Sequence, residues 1–188
     1  MSFSLFKINM LTFMRNQEGI EEYQDFSEKF AQEYDSLIKR GYQSFNFVRI
    51  EKGGTDFTKF KTDIACQSAL AVEEGLHTFL DDVGDSIISY WKSAQLSLKT
   101  PPSTPATGAI LNTALTGALI TNAGTITPPG PLQPTDDSEV FVDKMINMIR
   151  SHLTTIQGTY YTLSLYPTFP PAPPSPGSLT FKGWSIPG

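Results

Sequence analysis

The chain has 188 residues, of which 39% are hydrophobic and only 18% charged, with a net charge of −5. That length suits one domain, or one domain with an extended segment, and can bury a core without metal or disulfide staples. The acidic balance argues against general nucleic-acid binding, which needs a basic face. The single cysteine, Cys66, excludes both a disulfide framework and a multi-cysteine zinc site.

The first residues read MSFSLFKINMLTFMRN. Lys7 and Asn9 interrupt the apolar run and no small-residue cleavage site follows, so a secretory leader is not expected. The sequence has no run of about 18 apolar residues, the length a membrane span requires. It also has no N-x-S/T sequon. These points suggest intracellular synthesis and no membrane partner.

Charge and proline divide the chain. Residues 1–100 hold 26 of the 33 charged residues and no proline; all 14 prolines lie between Pro101 and Pro187. Residues 101–135 and 151–181 carry no Asp, Glu, Lys or Arg.

In 17–40, Ile20, Tyr23, Phe26, Phe30, Tyr34, Leu37 and Ile38 recur at three- and four-residue steps. That period predicts an amphipathic helix, with Asn16 as N-cap and Gly41 as the C′ residue. YQSFNFVRIE, 42–51, is aromatic and β-branched and predicts a short strand or extended connector. A second helical stripe runs from about Thr55 to before Lys99 through Phe57, Phe60, Ile64, Val72, Leu76, Phe79, Val83, Ile87 and Trp91, with Gly84 as a possible bend. Two such stripes predict an antiparallel helical pair.

KTPPSTPATG cannot be helical through its prolines. GAILNTALTGALITNAG reads as a short buried helix or a lightly packed, threonine-rich segment. A third helix is expected from Asp136 as N-cap, with Glu139 completing a capping box, to a stop at Gly158. TYYTLSLY has strand composition. The closing PTFPPAPPSPGSLTFKGWSIPG favours polyproline II, then presents Leu179, Phe181, Trp184 and Ile186 in a segment too short to enclose them.

The expected fold is therefore mainly α: an antiparallel helical core with short strand elements and an extended proline-rich C-terminal arm. The expected regions are a charged helical one at 1–100, a proline-punctuated one at 101–166, and the arm at 167–188. The core is expected to fold without the residues beyond Tyr166.

No catalytic constellation emerges, and the chain is expected not to be an enzyme and to carry no cofactor. His77, Asp81 and Asp85 step by four and offer one nitrogen and two oxygens to a metal. A solvated acidic face, to which Asp82 also belongs, explains them better, because no second histidine is near. Cys66 sits among small and apolar residues, with only His77 and His152 as conceivable bases, and reads as a buried hydrophobe. Gly53-Gly54-Thr55 lacks the spacing of a phosphate loop and reads as a turn and N-cap. Glu21-Glu22 reads as wet surface. The PxxP spacings at Pro102–Pro105 and Pro170–Pro173 lack a close basic flank and read as stiffeners.

Uncharged Thr/Ala/Pro-rich connectors suit a chain lying between neighbours, where stiff proline lowers the ordering cost. The expected partner contacts are Tyr166, Pro170, Pro171, Leu179, Phe181, Trp184 and Ile186. For Phe181 and Trp184, folding back onto the chain's own helices is an equal alternative.

The HLTTIQGTYYTLSLYP segment at 152–167, the proline-rich stretch after it and the closing SLTFKGWSIPG resemble the C-terminal part of small structural proteins of tailed-phage virions. The block ISYWKSAQLSLKTPPSTPATGAILNTALTGAL is similar in texture, so the resemblance spans roughly residues 87–188. It implies a particle component of the neck, tail, baseplate or capsid, made in the host cytoplasm and contacting other structural proteins and copies of itself. It carries over no functional residues. The competing expectation is a helical adaptor or effector that binds partners through its proline-rich arm.

Overall fold

The computed structural model describes residues 1–16, 23–45, 48–53, 58–64, 76–99, 113–130, 135–164 and 176–188. In chain order the elements are α1 (Phe3–Asn16), α2 (Tyr23–Arg40), β1 (Tyr42–Phe45), β2 (Val48–Lys52), the helical residues 58–64 (α3), α4 (Leu76–Lys92), β3 (Leu96–Lys99), β4 (Thr113–Asn122), α5 (Ser138–Leu153), β5 (Gln157–Ser164) and β6 (Pro176–Lys182).

Among the described residues, five helices and two three-stranded antiparallel sheets make an α+β fold, which corrects the mainly helical expectation. The first sheet has the order β1-β2-β3 and the second β4-β5-β6. They meet at both ends: β3 lies beside β4, and Tyr42 of β1 bridges Ser185 just beyond β6.

The helices form for local reasons. Ser2 Oγ accepts the Leu5 N–H at the start of α1, and Phe6 and Met10, one turn apart, point inward. In α2 the buried apolar residues are Phe26, Phe30, Tyr34, Leu37 and Ile38 of the expected stripe, joined by Ala31; Ile20 and the Tyr23 side chain lie outside the described residues. α5 is capped by Asp137, whose Oδ1 accepts from the N–H groups of Glu139 and Val140 at 2.9 Å each. Asp136, the expected cap, instead accepts from Lys144 at 2.6 Å. α5 ends at Leu153, five residues before the expected stop at Gly158.

Gly158 lies inside β5, where a Cβ would stand 2.1 Å from the Phe181 ring and 2.6 Å from the Leu119 carbonyl. It is glycine because the sheet leaves no room there. Gly84 does not interrupt α4; a Cβ there would sit 2.9 Å from Ile126, so the helix surface is notched to receive the chain beyond β4.

One core unites residues far apart in sequence. It includes Phe6 and Met10 of α1, the α2 stripe, Phe60 and Ile64 of α3, Val83, Ile87, Tyr90 and Trp91 of α4, Val142, Met145 and Ile149 of α5, and Trp184. A smaller cluster of Ile50, Tyr160 and Phe181 lies between the two sheets.

The extended arm is corrected over its described part. Residues 176–182 are β6, paired along β5 from Gln157↔Lys182 to Leu163↔Pro176. Residues 167–175, and with them the polyproline reading, lie outside the described residues. β4 replaces the helix or loose segment expected at 113–122.

Candidate functional site

Two places concentrate chemistry: a buried polar cluster, and the outward face of the second sheet.

The cluster joins α2, β2 and α4. Asp35 is 7% exposed; its Oδ1 accepts the Tyr90 hydroxyl at 2.6 Å and lies 3.5 Å from Lys52 Nζ, and its Oδ2 pairs with Lys39 at 2.6 Å. The Lys52 side chain is fully buried, and its ammonium stands 3.9 Å from the centre of the Tyr90 ring. Burial disfavours the charged amine and pulls its pKa down to about 8, against the opposing pull of Asp35. Burial also raises the Tyr90 hydroxyl far above its ordinary range, and Asp35 adds to the effect.

A Lys–Tyr–Asp set invites a catalytic reading, but Asp35 and the Lys52 side chain are buried and the three groups satisfy one another. Every polar member is engaged by another, so the cluster acts as an internal clamp between helices and sheet. Beside it, Trp91 Nε1 donates to the Tyr34 hydroxyl at 2.8 Å. An open depression of about 300 Å³ between α1 and α2 is lined by Asn9, Thr12, Phe13 and Lys29. Two of its polar groups are committed: Asn9 and Lys29 both donate to Glu33, at 2.8 and 2.6 Å.

The second sheet differs. Pairing register places Tyr160, Phe181, Gly158, Ala118 and Ile120 on its inner face. The opposite face carries Gly117, Leu119, Gln157, Thr159, Tyr161, Ser178, Thr180 and Lys182. There Leu119 is 39% exposed and Tyr161 43% exposed, while Ser178 and Thr180 are open to solvent. The Tyr161 ring lies beside Gly117, and Thr116 Oγ1 donates to the Tyr161 carbonyl at 3.1 Å. Lys182, at the end of β6, is the sole charged side chain of this sheet.

The expected contact residues divide sharply. Trp184 is 5% exposed, donates through Nε1 to the Ile38 carbonyl at 3.2 Å, and packs edge-on against Trp91 at 5.4 Å. Phe181 is 7% exposed and stacks near Tyr160 at 4.7 Å. Trp184 thus packs on the chain's own helices, whereas Phe181 packs between the two sheets with Tyr160 and Ile50. Ile186 is partly buried against the same core. Leu179, on the Tyr160 side at the sheet edge, is 46% exposed. Tyr166, Pro170 and Pro171 lie outside the described residues.

The other candidates are dispersed. Asp81 and Asp85 are exposed on α4, and the side chain of His77 is outside the described set. Among the described residues no group of three His, Cys, Asp or Glu side chains is placed to hold a metal ion, and no helix is long and apolar enough to cross a membrane. Gly53 donates its N–H to the Gln95 carbonyl at 2.7 Å, joining the β2 end to the β3 entry. Cys66, Gly54-Thr55, Glu21-Glu22, Pro102–Pro105 and Pro170–Pro173 lie outside the described residues.

Sequence reasoning missed the outward face because β4 was not recognised as a strand; the run of uncharged residues at 101–135 was its one available signal. No family model, curated protein or solved structure matches the chain.

Proposed function

We propose that the chain is a structural subunit that works by contact rather than by chemistry, a component of a virus particle of the tailed-phage kind. The observation that carries this reading is the outward face of the β4-β5-β6 sheet. A free surface is normally kept soluble by interspersed charge, and this one offers Leu119, Tyr161 and threonine hydroxyls with Lys182, at its rim, as its one charge. Such a mixture suits a protein surface, with an aromatic anchor and hydroxyls that hydrogen-bond around it.

The sheet's edges favour contact through the face. β6 begins at Pro176 and ends at Lys182, and β4 carries register shifts at Leu115/Gly117 and Ile120/Asn122. Proline, lysine and bulges all discourage edge-to-edge strand addition. Strand spacing and rise give the face roughly 300 Å². That is well below the roughly 800 Å² per partner of a stable two-body interface. The face therefore serves as one contact among several, as in a particle where many weak contacts act together.

The test is sedimentation of the protein from its source cells, beside a Leu119→Lys/Tyr161→Lys variant. The native chain should travel with a large particle, and the variant should stay folded but fail to join it. Native protein that sediments only as a monomer, or a variant incorporated as well as the native chain, would defeat the proposal.

A further inference from the structure

The buried histidine near the end of α5 has no part in the contact surface, yet its environment is unusual. His152 is fully buried. Its Nε2 stands 2.7 Å from the Ala123 carbonyl, an acceptor, so Nε2 carries the proton and donates. Nδ1 is then a bare lone pair, and among the described residues it has no hydrogen-bond partner.

The chain that covers the ring is the stretch just beyond β4. Ala123 is 8% exposed. Gly124 has φ +85° and comes so close that a Cβ would stand 3.1 Å from His152 Nε2. The Thr125 N–H donates to Thr155 Oγ1, and the Thr155 hydroxyl faces both the Thr125 and His152 carbonyls. Ile126 fills the notch at Gly84 of α4. Residues 123–126 thus lie across α4 and α5 as a strap, fastened at its middle by the histidine.

We infer that this strap is an acid-released latch: neutral His152 holds residues 123–126 against the helices, and protonation at Nδ1 lets them go. Protonation places an N–H and a full charge where no acceptor waits among the described residues. Trp91 of α4 faces the ring edge-on at 6.4 Å, Ala123 and Gly124 cover it, and Thr155 follows on its own chain. No charged side chain perturbs the ring; burial lowers its pKa and only the Ala123 carbonyl opposes that. The nearest charged side chains along these helices, Arg150 on α5 and Lys92 beside Trp91 on α4, are exposed to solvent. Opening the strap hydrates the ring at the least structural cost, since 123–126 belong to no helix or strand.

The sign follows from proton linkage. The open state takes up a proton near the ordinary value of 6.5, whereas the closed state does so only at lower pH. The opening equilibrium therefore grows about tenfold per pH unit as pH falls below 6.5, until the closed state also titrates.

The experiment is hydrogen exchange on the full chain from pH 7.5 to 5, with tryptophan fluorescence followed in parallel. Trp91 beside His152 and Trp184 beside Trp91 are the only two tryptophans. Protection at Gly124 and Thr125 should fall about tenfold per unit below pH 6.5, while α2 amides keep theirs. His152→Gln, which has no titrating nitrogen, should abolish that pH dependence. Strap and α2 amides losing protection together, or an unchanged profile in His152→Gln, would overturn the latch. Should that variant not fold, the native profile decides alone, joined by the NMR titration of His152, which must track strap opening.

Discussion

Replacing Trp184 by alanine tests whether the C-terminal segment belongs to the chain's own core or to a neighbour. Trp184 is 5% exposed, packs on Trp91, and hydrogen-bonds the Ile38 carbonyl. A buried tryptophan removes about 150–250 Å² from water, worth up to ~4–6 kcal/mol at about 25 cal/mol per Å². The Ile38 carbonyl also accepts from the Gly41 N–H at 2.9 Å, so truncation does not strand it. The expected loss is therefore that of a large-to-small core change, about 3–5 kcal/mol. For a chain of this size that lowers Tm by about 10 °C. Urea unfolding of the isolated chain, followed by Trp91 fluorescence and checked by calorimetry, measures it. Truncation after Tyr166 removes Trp184 together with β6, and should abolish cooperative unfolding. A loss below about 1 kcal/mol for Trp184→Ala, or a cooperative transition surviving the truncation, would show that the segment serves a partner instead.

The buried cluster predicts an asymmetry. Asp35→Ala strands the Lys52 amine and the Tyr90 hydroxyl and should cost about 3–5 kcal/mol, whereas Lys52→Met leaves Asp35 with Lys39 and Tyr90 and should be neutral or stabilising by about 1–3 kcal/mol. Because folding lowers the Lys52 pKa to about 8, the unfolded chain binds the extra proton between about pH 8 and the ordinary 10.5. Native stability relative to Lys52→Met should therefore rise with pH across that interval, and denaturant titrations at pH 7.5 and 9.5 check the sign. Asp137→Ala should lose about 0.5–2 kcal/mol through the α5 cap, against a near-zero effect if Asp136 were the cap. Gly158→Val should abolish folding of the second sheet, seen as loss of its amide protection, because Phe181 and the Leu119 carbonyl occupy the space.

What the sequence disclosed follows from how local each cause is. α2 and α5 were legible because their apolar faces repeat at helical spacing, and β5 because of its aromatic and β-branched run. α1 has the same spacing in Phe6 and Met10, but its short apolar run, broken by Lys7 and Asn9, carries no distinct helical signature of its own. β4 hid because its register shifts twice, near Thr116 and Thr121, so the inward residues never alternate cleanly. β6 hid behind its prolines, which a first-strand position tolerates. Gly41 was rightly placed at the end of α2, but for another reason: a Cβ there would lie 2.0 Å from the Trp184 indole nitrogen. That partner is 143 positions away, beyond any local pattern. The Asp35–Lys52–Tyr90 cluster is likewise invisible locally, since each residue alone reads as ordinary surface or stripe.

The pairing of Tyr42 with Ser185, and of Ile38 with Trp184, sets the order in which the molecule can be completed. The helices are synthesised first, but their core stays open beside Trp91 until residue 184 has emerged. A chain growing at about 5–20 residues per second thus carries exposed apolar surface for roughly 7–30 seconds after α2 is made. Contacts spanning such separations also slow closure itself. The nascent protein is at greatest risk of wrong association before the turn into Trp184 is made, and a chaperone that shields the α2–α4 surface would act in that interval.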